Sequence, residues 1–127
     1  MIIQQVTVKT ENREGQLQGV MEVLGQEKMN VEALSVADTV MRLIVAQPEQ
    51  TAWVLKEQGF QAEVTNVLRI KVPSRAGALA QMLTAFAREE INLEYMYAFA
   101  TGEGDEMILC PSALEKADAL LADFLEQ

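Results

Sequence analysis

Between Met1 and Thr10 apolar and polar residues come to alternate, with Val6 and Val8 set against Thr7 and Lys9, which predicts a strand. A polar loop follows, Glu11-Asn12-Arg13-Glu14-Gly15. Over Gln16–Lys28 the period lengthens, and Leu17, Val20, Met21 and Leu24 fall on one helical stripe. Asn30 breaks that pattern. Val31–Ala37 and Val40–Ala46 then read as two strands turned at Asp38-Thr39. Pro48 precedes a second helix, Glu49–Gln58, stopped by Gly59 where a left-handed residue commonly ends helices. Phe60–Val64 is a short alternating strand, so the order is strand, helix, strand, strand, helix, strand.

The pattern then repeats. Val6–Ala37 aligns without a gap on Leu68–Phe99, each residue meeting the one 62 positions later. Lys9 meets Lys71, Arg13 meets Arg75, Gly15 meets Gly77, Glu27 meets Glu89 and Asn30 meets Asn92. Val67–Val72 is the repeated strand, and Leu79, Met82, Leu83 and Phe86 form the repeated helix stripe. Leu93–Ala100 and Glu106–Cys110 are strands joined through Thr101-Gly102-Glu103-Gly104. Ser112 can cap a last helix, Ala113–Glu126, and no counterpart of Phe60–Val64 follows it. The repeat is too long for a solenoid and suits a small duplicated domain, with repeats at 1–65 and 66–127.

A βαββαβ unit folds as a four-stranded antiparallel sheet with both helices on one face. The expected fold is therefore α+β, two ferredoxin-like units packed side by side. Without a last strand, the second repeat exposes Val67–Val72 as an edge that needs cover from another chain or segment. Val31–Ala37 and Leu93–Ala100 carry apolar residues in both phases: Leu34 and Val36, Val31 and Ala33, then Tyr95, Met96, Tyr97 and Phe99. Strands of that kind are expected to be covered on both faces, most simply by self-association.

Composition narrows the chemistry. Half the residues are apolar, enough for a core, although either repeat alone would be marginal. The formal charge of −9 is spread along the chain, which argues against a nucleic-acid or anionic-membrane binder. There is no histidine, so the usual neutral-pH base and the commonest zinc ligand are both missing. The single cysteine, Cys110, lies in the apolar run Met107–Cys110 and reads as a buried small residue. No signal peptide or membrane span is recognisable, and a reduced, cytoplasmic setting is the expectation.

The stretch Val6–Leu17, with its loop Asn12-Arg13-Glu14-Gly15, followed by Met29-Asn30-Val31, resembles the ACT domain. That family of regulatory amino-acid-binding modules shows a strand, an Asn-Arg-Pro-Gly-like loop, a helix opening with leucine, and a Gly-(Ile/Val)-Asn-Ile strand entry. Glu14 stands here for the proline and Lys28 for the glycine before Met29-Asn30. The second repeat has Pro73-Ser74-Arg75-Ala76-Gly77-Ala78-Leu79, then Ile91-Asn92-Leu93-Glu94-Tyr95. This last segment is similar to the second half of small stand-alone tandem ACT proteins. The resemblance places an effector amino acid between the strand–helix loop of one unit and the second-strand entry of its partner. By position it implicates Asn12, Arg13, Glu14, Gly15, Gln16 and Leu17 with Asn30 and Val31. In the second repeat it implicates Ser74, Arg75, Ala76 and Gly77 with Asn92 and Leu93.

The residue chemistry suits that role. Glycine lets backbone approach a ligand closely, and a helix start offers unpaired N–H groups to a carboxylate. An asparagine amide serves both an ammonium and a carboxylate. Local readings stand beside these: Gly15 and Gly77 as turn residues, Asn30 and Asn92 as ties at a helix-to-strand turn, Arg13 and Arg75 as solvated surface. Ser74 replaces Asn12, so the first repeat is the better candidate. The expected function is a non-enzymatic module that binds an amino acid, without cofactor or metal, and reports it in trans to a metabolic enzyme or transporter. A homodimer is the expected assembly. The alternative is a dimerisation or interaction module with no working ligand site. A small enzyme fares worse: Gln18-Gly19-Val20 is superficially similar to the acylphosphatase loop, but Met21-Glu22 stand where its arginine should.

Overall fold

The computed structural model of the protein describes residues 1–11, 14–72, 76–102 and 104–125. Its elements run β1 (Ile2–Lys9), α1 (Gln16–Gln26), β2 (Val31–Ala37), β3 (Val40–Val45), α2 (Pro48–Glu57), β4 (Gln61–Lys71), α3 (Ala78–Arg88), β5 (Leu93–Thr101), β6 (Gly104–Pro111) and α4 (Leu114–Leu125). They divide into two units, Gln4–Thr65 on the one hand and Met1–Ile3 with Asn66–Gln127 on the other.

In the unit Gln4–Thr65 the strands are hydrogen-bonded in the order β2-β3-β1-β4, the ferredoxin-like arrangement. Val6 and Val8 of β1, Met41 and Leu43 of β3, Val20 and Leu24 of α1 and Leu55 of α2 are all at most 1% exposed and form one core. Both helices thus cover a single face of the sheet. The β2–β3 turn places Asp38 at φ 51° and Thr39 at φ 63°, two consecutive left-handed residues, as a type I′ hairpin demands.

The second unit is built alike. β4 pairs with β6, and β6 with β5, both antiparallel. Leu68, Met82, Phe86, Leu109, Ala117 and Leu121 make its core beneath α3 and α4. In this unit the fourth strand position, beside β4, is taken by the N-terminal residues. The Arg69 N–H donates to the Met1 carbonyl at 2.9 Å, and the Met1 ammonium donates back to the Arg69 carbonyl at 3.2 Å. The exposed edge expected at Val67–Val72 is therefore paired by Met1–Ile3.

Two expectations need correction. Phe60–Val64 and Val67–Val72 are not separate strands but the single strand β4, because Thr65-Asn66 contains no breaker and the extended backbone runs on. Ala62 and Val64 join the first core, Leu68 and Ile70 the second. The chain by itself leaves apolar side chains of β2 and β5 open. Leu34 is 48% and Val36 45% exposed, and Met96 is likewise exposed. The expected phase needs correction: Val31 and Ala33 do not share a face, because a bulge falls between them, and an equivalent one falls between Leu93 and Tyr95. Each bulge sends Val31 or Leu93 into the helix-side core and Ala33 or Tyr95 to the other face.

Candidate functional site

At the end of β1, Lys9 pairs across from Val40 and the chain turns toward α1. Gly15 precedes that helix at φ 85°, a left-handed value that costs a side-chain-bearing residue about 1–2 kcal/mol. Gly77 stands in the same way before α3, at φ 80°. Among the described residues no side chain caps either helix start, so first-turn N–H donors of α1 and α3 can serve a ligand. Beside the α1 start lies a cavity of about 240 Å³, walled by Lys9, Glu11, Gln16, Gln58, Gly59, Phe60 and Gln61. A neighbouring hollow of about 210 Å³ adds Lys56 and Glu63.

This arrangement can hold both ends of a zwitterion. Lys9 and the positive end of α1 suit a carboxylate, and Glu11 suits an ammonium. The volume is below that of pockets for drug-sized molecules, roughly 300–1,000 Å³, and suits a small metabolite.

The expected site residues do not all meet here. Gln16 lines the cavity, Gly15 sets the helix start, and Glu14 and Leu17 are exposed nearby. Asn12, Arg13, Ser74 and Arg75 lie outside the described residues. Asn30 sits at the opposite end of its unit. β1 and β2 both run antiparallel to β3, so the β1 end lies by Val40 and the β2 entry by Val45. From Val40 to Val45 is about 17 Å of strand at the usual rise. No single amino acid bridges the loop and Asn30 of one unit. Val31 is half-buried against the first core.

In the other unit Ala76 and Gly77 are exposed at the start of α3, and Leu93 packs on the core. Asn92 is committed locally: its N–H donates to Ser112 Oγ at 3.0 Å and its carbonyl accepts from the Ser112 N–H at 2.8 Å. The local reading of Asn92 as a tie therefore describes its backbone. Lys28 and Glu90, at the two positions where the family pattern shows glycine, adopt φ 56° and 58°.

Sequence reasoning missed the wall formed by Gln58, Gly59, Phe60 and Gln61. Gly59 was legible as a helix stop, but nothing local signals that it faces the β1–α1 loop. Also missed was a surface repeated in both units. Leu17, Met21 and Leu34 are exposed in one, and their equivalents Leu79, Leu83 and Met96 in the other.

A family model described as an ACT domain pair matches residues 1–124. The chain is similar to the solved protein BT0572 from Bacteroides thetaiotaomicron, at 33% identity and a TM-score of 0.87, over 97% of this chain and 88% of that one. It shares its fold with the regulatory subunit of aspartate kinase from Thermus thermophilus, at 18% identity and a TM-score of 0.64, over 99% and 93% of the two chains. The same fold recurs in Escherichia coli aspartokinase III solved with lysine and aspartate, at 14% identity and a TM-score of 0.60, over 97% of this chain and 31% of that one. Among curated proteins none matches. No helix among the described residues is long and apolar enough to cross a membrane.

Proposed function

Since the chain belongs to the ACT domain family, matching an ACT domain pair over residues 1–124, we propose that it is a non-catalytic regulatory module of two ACT repeats, 1–65 and 66–127. It binds a free amino acid at an interface between ACT units and reports occupancy to a partner enzyme or transporter in trans. The observation that carries this reading is the cavity at the α1 start, where Lys9, Glu11 and uncapped first-turn N–H groups surround a space of small-metabolite size. A second copy of the chain supplies the remaining half. The 17 Å separating the loop from Asn30 within one unit means that a strand entry like Asn30 must come from elsewhere. The reduced cytoplasm is its setting, in keeping with a sequence that has a single cysteine, Cys110, buried in the fold.

Thermal unfolding against a panel of the twenty amino acids tests the proposal. A ligand at 100 times its dissociation constant adds about 2.7 kcal/mol, several degrees for a chain of this size. Lys9→Ala and Glu11→Ala are expected to remove the shift while leaving the unliganded transition in place.

A second reading, an interaction module without a working ligand site, is favoured by the exposed apolar residues at equivalent places in both units. A flat response across the panel at millimolar concentrations, with dimerisation intact, would favour it.

A further inference from the structure

The unit Gln4–Thr65 holds another cavity, of about 240 Å³, at the end away from the β1–α1 loop. It lies between the C-terminus of α1 and the N-terminus of α2, and its wall includes Glu27, Lys28, Asn30, Gln50 and Thr51. The other unit shows what this place accepts. Glu27 corresponds there to Glu89 and Asn30 to Asn92. Through the pairs Val36–Met41 and Ala98–Met107, Ala46 corresponds to Ser112, Gln50 to Lys116 and Thr51 to Ala117.

In that other unit the place is filled from within. The Lys116 ammonium donates to the Glu89 carbonyl at 3.0 Å and lies 3.4 Å from the Glu89 carboxylate. A primary ammonium thus sits against the C-terminus of α3, where the helix dipole favours it. Ser112 occupies the Asn92 backbone from the other side. In the unit Gln4–Thr65 neither device exists. Gln50 carries no charge and Ala46 no hydroxyl, so the Glu27 carboxylate and the Asn30 N–H lack those partners.

Two further groups point the same way. Thr51 is fully buried, where the other unit has Ala117. Its hydroxyl donates to Met29 Sδ at 3.2 Å and, among the described residues, accepts no bond, which leaves an oxygen acceptor in the wall. Lys28, held at φ 56° beside Glu27, places a positive charge next to the negative one. α2 presents its N-terminus here with Pro48 in the first turn and no side-chain cap.

We propose that this cavity binds a small zwitterion bearing a primary ammonium and a carboxylate. The ammonium takes the place that Lys116 fills in the other unit, against Glu27. The carboxylate faces Lys28, the Asn30 N–H and the α2 N-terminus. The site lies within one unit and stands apart from the loop site proposed above.

The test is a titration of the full chain with glycine at millimolar concentration, followed by amide chemical shifts, in the wild type and in Gln50→Lys. Glycine is expected to move the amides of Glu27–Val31 and Glu49–Thr51 saturably. In Gln50→Lys, which copies the arrangement around Lys116, binding is expected to weaken about tenfold or more. Methylammonium is expected to shift the Glu27 and Thr51 region on its own, more weakly than glycine. Absence of a saturable shift there, equal shifts in Gln50→Lys, or a response to acetate alone would overturn the assignment. Shifts at Gly15–Leu17 and Gly59–Gln61 report the loop site, whereas shifts at Glu49–Thr51 that weaken in Gln50→Lys report only the site proposed here, so the failure of one proposal is read apart from that of the other.

Discussion

Arg69 of β4 and Glu106 of β6 form a two-pronged ion pair diagonally across the two strands, Nε to Oε1 at 2.8 Å and Nη2 to Oε2 at 3.2 Å. The same guanidinium lies 5.2 Å from the centre of the Phe99 ring. The hydrogen bonds from Arg69, then the charges of Arg69 and Lys71, hold the Glu106 carboxyl below its ordinary value against an opposing desolvation. A carboxyl lowered in the folded state stabilises the protein above its unfolded value, near 4.3, and loses that contribution as pH falls through the folded value.

Glu106→Gln is therefore expected to lower stability at neutral pH by about 1 kcal/mol, solvent screening keeping the pair at the low end for charged hydrogen bonds. The difference from wild type should shrink as pH drops from about 5 toward 2. Urea unfolding across that range reads it. A constant difference at every pH would show that Glu106 acts through packing alone.

Glycine substitutions in and beside α1 should have opposite signs. Gly15→Ala places a side chain at φ 85° and is expected to cost about 1–2 kcal/mol. Gly25→Ala, inside the helix with nothing within 4 Å of the new methyl, is expected to gain about 0.5–1 kcal/mol. Thr39→Gly relieves a branched residue at φ 63° and should gain on the order of 1 kcal/mol. Denaturant midpoints measured on the three variants check all of this.

Removal of Ile2 and Ile3 should uncover the β4 edge of the second unit. Lower stability and concentration-dependent association are expected, read by thermal unfolding and sedimentation. A truncated chain as stable and monodisperse as the parent would show that the Met1–Arg69 pairing contributes nothing.

Much of this fold was legible because the signals are local. The helix stripe Val20–Leu24, the left-handed Gly15 and Gly77, and the order of elements all follow from periodicity and turn chemistry. Three things were not. The bulges at Val31/Ala33 and Leu93/Tyr95 shift the phase without any distinctive residue, so no local signal separates Val31 from Ala33 or Leu93 from Tyr95. The continuity of β4 through Thr65-Asn66 is hidden because the repeat pattern predicts two strands there, although nothing in that run bends the backbone. Met1–Ile3 answers a need created more than 60 residues later, at Arg69, which no local pattern can reveal. For the site, the loop residues Gly15 and Gln16 were legible by resemblance, whereas Gly59–Gln61 and the contrast between Gln50 and Lys116 required the assembled chain.

The exposed, repeated apolar surface gives the assembly a direct check. Leu34→Lys with Met96→Lys should leave each core intact, since both side chains are exposed. Any dimer seen by sedimentation of the parent chain is expected to weaken or dissociate in the double variant. A dimer of unchanged strength would place the interface elsewhere.

The most direct measurement is calorimetric titration of the parent chain and of Lys9→Ala with each of the twenty amino acids. One or a few are expected to bind the parent saturably, with binding lost or weakened about tenfold or more in Lys9→Ala. No heat of binding from any amino acid at millimolar concentration, or equal binding by Lys9→Ala, would contradict an amino-acid site at the start of α1.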